Sequence, residues 1–198
     1  MVDSKEPVPP GHIASVITHL EMHARPAPIA KRDARLRLEH WQDVSRQRYS
    51  DLFRRVGAPW LWFSRLTMPD AALQAILTDP KIMLHAIRDD RGSLCGILEL
   101  DFRISPACEI VYLGLTPDYT GQGHGEWLMS ETLRLAWRDN ITRVWLRTCT
   151  LDHPAALGFY RKHGFVPFKQ EVEIYPDPRL TGHLPRDAAP QIPIITQQ

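Results

Sequence analysis

The chain has 198 residues, enough for one domain whose core needs neither disulfide nor metal. Its residues are 43% hydrophobic and 24% charged, which places it among ordinary globular proteins. A formal net charge of +1 supplies no field for nucleic acid or an anionic membrane, and neither partner is expected. Cys95, Cys108 and Cys149 form no Cys-x-x-Cys pair, so a disulfide framework is not expected either. The histidines show no metal-ligand spacing and no metal is expected. Met1–Pro10 is polar and proline-rich without the apolar stretch of a signal peptide, and nowhere do eighteen apolar residues run together. A cytoplasmic protein is the expectation.

In chain order, residues 1–12 read as a tail, and 15–22 alternate as a first strand. Trp41, Val44, Leu52, Phe53 and Val56 recur near helical spacing over 39–56, with Gly57 as a natural stop. Lys31 and eight arginines stand against four acids over 31–65, the pattern of a solvated helix face or of an attraction for anionic groups. Pro59-Trp-Leu-Trp-Phe-Ser-Arg65 is aromatic-rich, and Trp60, Trp62 and Phe63 suit a pocket wall or a core plug equally. Thr67 to Asp70 has capping-box spacing, with a helix over about 69–78.

Two strands follow, Ile82–Arg88 and Leu94–Phe102, joined by the turn residues Asp89, Asp90, Arg91 and Gly92. Then come a strand over Glu109–Leu115, a helix over Gly123–Arg138, a strand over Ile141–Thr148, a helix over Pro154–His163 and a last strand over Phe165–Val172. The prolines at 176, 178, 185, 190 and 193 make 176–198 a second irregular tail. The order predicts one α/β domain over 13–175, built around a single mixed sheet.

The most informative stretch is Leu113 to Gly125, where a strand passes through glycines 121, 123 and 125 into a helix. Glycine admits positive φ and close ligand approach, and the unpaired N–H groups of a helix start favour phosphate. The spacing fits neither Gly-x-Gly-x-x-Gly nor a Gly-Lys-Ser/Thr phosphate loop. A flexible strand-to-helix turn is the plain alternative.

Thr120, Gly121, Gln122, Gly123, His124 and Gly125 resemble the Gln/Arg-x-x-Gly-x-Gly/Ala signature of the GNAT superfamily of acetyl-CoA-dependent N-acyltransferases, with Thr120 in place of Gln or Arg. Ala155 to Phe165 resembles the family's second signature, a helix carrying Phe159-Tyr160 followed by Gly164-Phe165. His153 stands about where members often carry Asn. The matching segments cover about 109–170.

The resemblance implies a mostly antiparallel central sheet, splayed at the coenzyme site and flanked by helices. It assigns 13–80 to the acceptor side and 81–175 to acetyl-CoA, with acetyl-CoA as cosubstrate. The backbone at Leu113, Gly114 and Leu115 would bond the pantetheine arm and supply an oxyanion donor near Leu113. Residues 120–125 and His153 would bind the rest of the coenzyme, with Glu126 pointing away. By the same resemblance Tyr160 would protonate the leaving thiolate, its alternative being a core tyrosine. Glu109 matches the general base of the histone-acetylating branch; otherwise it is a strand carboxylate paired with an arginine. Cys149 with Asp152 and His153 is weighed as a nucleophile and set aside, because the family's transfer is direct. The expected acceptor is the primary amine of a small molecule, and a homodimer is compatible with this. A protein lysine or N-terminus, or a non-catalytic acyl-CoA sensor, are the alternatives.

Overall fold

A computed structural model describes residues 5–27 and 35–196. Lys31 and Arg32 of the basic stretch lie outside the described residues. The chain forms β1 (His12–Met22), β2 (Leu36–His40), α1 (Arg46–Gly57), α2 (Asp70–Thr78), β3 (Ile82–Asp89), β4 (Leu94–Asp101), β5 (Ala107–Leu115), α3 (His124–Ala136), β6 (Arg143–Cys149), α4 (Ala156–Lys162) and β7 (Val166–Pro176). The strands make one seven-stranded sheet in the order β2-β3-β4-β5-β6-β1-β7. All neighbours are antiparallel except β5 and β6.

Alternation along the strands gives each face of the sheet its own core. On one face α1 lays Tyr49, Leu52, Phe53 and Val56, spaced for one helical stripe, over Leu84, Ala86 and Ile97. On the other, Leu128, Met129, Leu133 and Ala136 of α3 cover Leu98, Leu100, Cys108, Ile110 and Leu146. Phe159 and Tyr160 of α4 pack against this second core. Each fully buried large side chain contributes about 1.5–3 kcal/mol. No helix among the described residues is long and apolar enough to cross a membrane.

Two local expectations are corrected. Helical spacing over 39–56 hid a strand: residues 36–40 pair with β3, and α1 begins only after Ser45, whose side chain accepts from the Arg48 N–H at 3.3 Å. Thr67 caps nothing, since α2 starts behind Pro69 and the Thr67 hydroxyl bonds the Ser64 carbonyl at 3.1 Å. The β3–β4 turn is built as its residues suggest, with Gly92 at φ +81° and the Asp89 carboxylate accepting from the Ser93 N–H at 2.6 Å.

Two features of the sheet position the site. A bulge at Val111 interrupts the β4–β5 register, and β5 pairs with β6 only over Ala107–Ile110. Beyond that point the strands diverge, β5 continuing along β4 and β6 along β1 to Cys149. The N-terminal strand β1 meanwhile inserts between β6 and β7, so the first and last strands lie side by side.

The segment after Pro176 is irregular, as its prolines imply, yet firmly packed. Arg179 is 5% exposed and pairs with Asp177, while its guanidinium donates to the carbonyls of Ala188, Ala189 and Ile192 at 2.8–3.2 Å. Leu184 and Ala189 join Ile13 and Leu61 in a third apolar cluster, and the Gln191 amide holds the Pro59 carbonyl at 2.8 Å. Residues 177–196 thereby brace the Ala58–Leu66 segment from outside.

Candidate active site

A cavity of about 620 Å³ fills the V between β5 and β6. Its first limb is the glycine loop. Gly121 (φ +77°) and Gly123 (φ +83°) both take the left-handed conformation that glycine alone adopts easily, and a Cβ added at either would meet nothing within 4 Å. Gly123 is the N-cap of the 13-residue α3, where no side chain supplies a capping bond. Open space in front of two glycines at a helix start suits phosphate oxygens. A Cβ at Gly125 would stand 3.4 Å from the Phe159 ring, an ordinary contact, so the space there does not demand glycine.

Of the loop residues predicted to bind, Thr120, Gly121, Gly123 and Gly125 line the cavity. Gln122 and His124 do not: the Gln122 amide turns back to the Asp118 carbonyl, and His124 is buried. Glu126, expected to point away, lines the cavity as well, but its carboxylate bonds Lys162 at 2.6 Å and His163 at 3.0 Å, and the lysine contact holds it below the usual range. Tyr119 anchors the loop to the β3–β4 turn through a 2.7 Å bond to Asp89, a long-range link with no local sequence signal.

The middle of the cavity is walled by β5 past its last bond to β6. Leu113, Gly114 and Leu115 lie there. Gly114 also has a packing reason: a Cβ would stand 2.7 Å from the Val56 Cγ1 and 3.1 Å from the Trp62 ring. Opposite them Tyr160 faces the cavity with its ring against Phe159 and Phe165, centroids 5.7 and 6.1 Å away. Its hydroxyl bonds no other described residue, and burial pushes the phenol well above its ordinary value, with the Asp152 charge adding to the shift. His153 also lines the cavity, with Nδ1 accepting from the Ala155 N–H at 3.1 Å and Trp60 edge-on at 5.1 Å.

Glu109 is not part of the wall. It lies on β5 two positions before the wall residue Val111, paired with Arg147 at 3.1 Å, which is the geometry of its alternative reading. Burial raises its carboxyl above the ordinary value, and Arg147 only partly offsets this. Arg147 itself reaches the cavity.

The second limb is aromatic. Trp60, Trp62 and Phe63 are wall and core at once: all three line the cavity, while the Trp62 ring also packs on Phe53 and Tyr112 at 5.7 and 5.0 Å. The Trp62 indole N–H donates to Asp152 at 3.2 Å. The same carboxylate accepts from the Thr148 hydroxyl at 2.8 Å and the Cys149 N–H at 2.9 Å. Beneath this wall Arg65, read from sequence as one of a basic face, is instead half-buried against Glu99, which also accepts the Tyr49 hydroxyl at 2.7 Å. Ser15 and Ile17 of β1 and Glu173 and Tyr175 of β7 complete the limb. Cys149 lines it too, but burial and Asp152 push its thiol up to about 11, which keeps it protonated and a poor nucleophile.

A family model described as "Acetyltransferase (GNAT) family" matches residues 37–165. No curated protein is matched. Among solved structures, a GCN5-related N-acetyltransferase from Sphaerobacter thermophilus superposes with a TM-score of 0.62 at 16% identity, covering 83% of this chain and 53% of its own. The chain thus spans about half of that protein. Spermidine N-acetyltransferase from Vibrio cholerae, solved with CoA and spermine, gives 0.55 at 16% identity over 73% of this chain and 98% of its own. An aminoglycoside acetyltransferase from an uncultured soil metagenomic sample gives 0.56 at 21% identity, covering 72% and 96%. These identities establish likeness of fold.

Proposed function

The chain belongs to the GNAT acetyltransferase family, and from that premise we propose that it transfers the acetyl group of acetyl-CoA directly to the primary amine of a small molecule. The observation that carries this reading is one cavity joining an uncapped, glycine-lined helix start to the splayed end of β5 and an aromatic limb. Acetyl-CoA fits the residues present, since a Cβ at Gly121 or Gly123 would enter open space where a pyrophosphate needs room. When bound, the coenzyme supplies an activated thioester carbonyl.

The chain's own residues divide the remaining work. Gly121, Gly123 and Thr120 hold the phosphates, with His153 at the rim; Gln122 and His124 shape the loop from behind. The backbone of Leu113–Leu115, without a β6 partner, offers hydrogen bonds to an extended arm and a donor for developing negative charge. Tyr160, kept protonated by burial, donates to the departing sulfur. An alkylammonium has a pKa near 10.4, so its proton must leave first. Glu109 is the proposed acceptor, acting through water past Val111, because burial raises its proton affinity. The domain is taken as 13–175, with 81–175 facing the coenzyme and 13–80 the acceptor.

Thermal melts test the coenzyme site. Acetyl-CoA at 100 times its Kd is expected to stabilise the native state by about 2.7 kcal/mol, and Gly123→Val to lose that stabilisation. Equal stabilisation of both proteins contradicts the assignment. An unliganded melt of the variant separates lost binding from strain at φ +83°.

A further inference from the structure

The aromatic limb combines two features that β1 and β7 bring together. Its rings come from three places in the chain: Trp60 and Phe63 before α2, Tyr112 on β5, and Tyr175 on β7, with Phe63 and Tyr175 at 4.8 Å. Its charges are almost all engaged. Arg147 is paired with Glu109, and Asp152 accepts from Trp62, Thr148 and Cys149. Glu173, opposite Ser15 in the β1–β7 register, lines the same cavity and has no ion pair or side-chain hydrogen bond among the described residues. Burial is the main cause that raises the proton affinities of Cys149 and Tyr175, and the nearby Glu173 charge adds to both.

We infer that Glu173 is the specificity-determining carboxylate for the acceptor, and that the acceptor class is a cationic monoamine on an aromatic or apolar body, without a carboxylate of its own. This rests on the acetyltransferase reading above. An ammonium is attracted both by a carboxylate and by the faces of aromatic rings, and the rings cover the apolar body once the charge is placed. An amino acid of the same shape sets its carboxylate against Glu173 and Asp152, with Arg147 already neutralised. A polyamine needs several carboxylates free to pair with it, and here the Asp152 oxygens are already held by Trp62, Thr148 and Cys149, which leaves Glu173.

The experiment compares 2-phenylethylamine, phenylalanine and spermidine as acceptors at saturating acetyl-CoA, for wild type and Glu173→Gln. The variant changes an exposed side chain and retains the fold. 2-Phenylethylamine is expected to be the best of the three, with kcat/KM at least ~10-fold above phenylalanine, the size of one or two exposed charge contacts. Glu173→Gln is expected to raise its KM about 3–10-fold with kcat nearly unchanged, to narrow the margin over phenylalanine, and to leave acetyl-CoA affinity as it was. The KM effect should weaken with added salt, because the carboxylate is solvent-accessible. Preference for spermidine or phenylalanine, or an unchanged KM in Glu173→Gln, overturns the inference while leaving the acetyltransferase reading intact. No turnover with any amine, together with no stabilisation by acetyl-CoA, overturns both.

Discussion

Tyr160→Phe removes one oxygen and nothing else that the fold uses. The ring contacts with Phe159 and Phe165 survive, and the hydroxyl has no hydrogen-bond partner among the described residues. Stability should therefore change by no more than about 0.5 kcal/mol, or roughly 1–2 °C for a chain of this size. Catalysis should change far more. Burial keeps the phenol protonated across the assay range, so it is present as a hydrogen-bond and proton donor to the sulfur while charge develops there, although the same burial makes it a weaker acid than the thiol of free pKa about 8.5. General acid contributions run to about 10²–10⁴, and water admitted to the cavity replaces part of this. The expected loss in kcat is thus about 10–100-fold, equivalent to about 1.4–2.7 kcal/mol of barrier. Acetyl-CoA affinity should stay within about twofold, since the ring still covers the same surface. Single-turnover rates measured by rapid mixing isolate the chemical step from product release. An unchanged single-turnover rate refutes the acid role and leaves Tyr160 as packing; a large fall in melting temperature would show that the hydroxyl has a structural partner.

Glu109→Gln keeps size while removing charge and should lower kcat/KM by about 10–100-fold near neutral pH, the loss shrinking toward pH 10 as the amine becomes neutral unaided. Because burial raises the Glu109 carboxyl, the acidic limb of the wild-type profile should fall at a pH above the ordinary carboxylate value; parallel profiles with nearly equal rates would leave Glu109 as no more than the partner of Arg147. Asp177→Ala strands the buried Arg179 and should cost about 3–5 kcal/mol, roughly 6–20 °C in melting temperature. Burial alone would raise the Asp177 carboxyl, but the Arg179 hydrogen bonds more than reverse this and its folded pKa is lowered. Its contribution is therefore present above an unfolded value of about 3.9 and is lost as pH falls through the folded value. Melts of wild type and Asp177→Asn should converge on acidification, and a constant gap would contradict this.

Local patterns carried the stretch from the β3–β4 meander to α4. The glycine loop, the meander ahead of it and the α4 Phe-Tyr pair are each contained within a short stretch, so spacing together with the family resemblance it carries located them. The short strand at Leu36–His40 does alternate, Leu36 and Leu38 against Arg37 and Glu39, but five residues are overrun by the helical spacing that follows. Arg65 read as a surface charge because Glu99 and Tyr49, its buried company, lie far away in sequence. The aromatic limb was half legible. Trp60, Trp62 and Phe63 advertised themselves by composition, but Ser15, Glu173 and Tyr175 join them only because β1 inserts between β6 and β7. Proline content predicted irregularity after Pro176 correctly and said nothing of packing, which depends on the buried Arg179 guanidinium and on the apolar contacts of Leu184 and Ala189.

The central claim is direct acetyl transfer from acetyl-CoA to a small amine. Its most direct test is the stoichiometry of a reaction containing acetyl-CoA and a panel of primary amines, with free CoA thiol and N-acetylated amine both quantified by mass spectrometry over time. The account predicts one N-acetylated product molecule per CoA released for at least one amine, well above the rate without protein and abolished in Gly123→Val. CoA release without an acetylated amine, or no release above the uncatalysed rate across the whole panel, would contradict it.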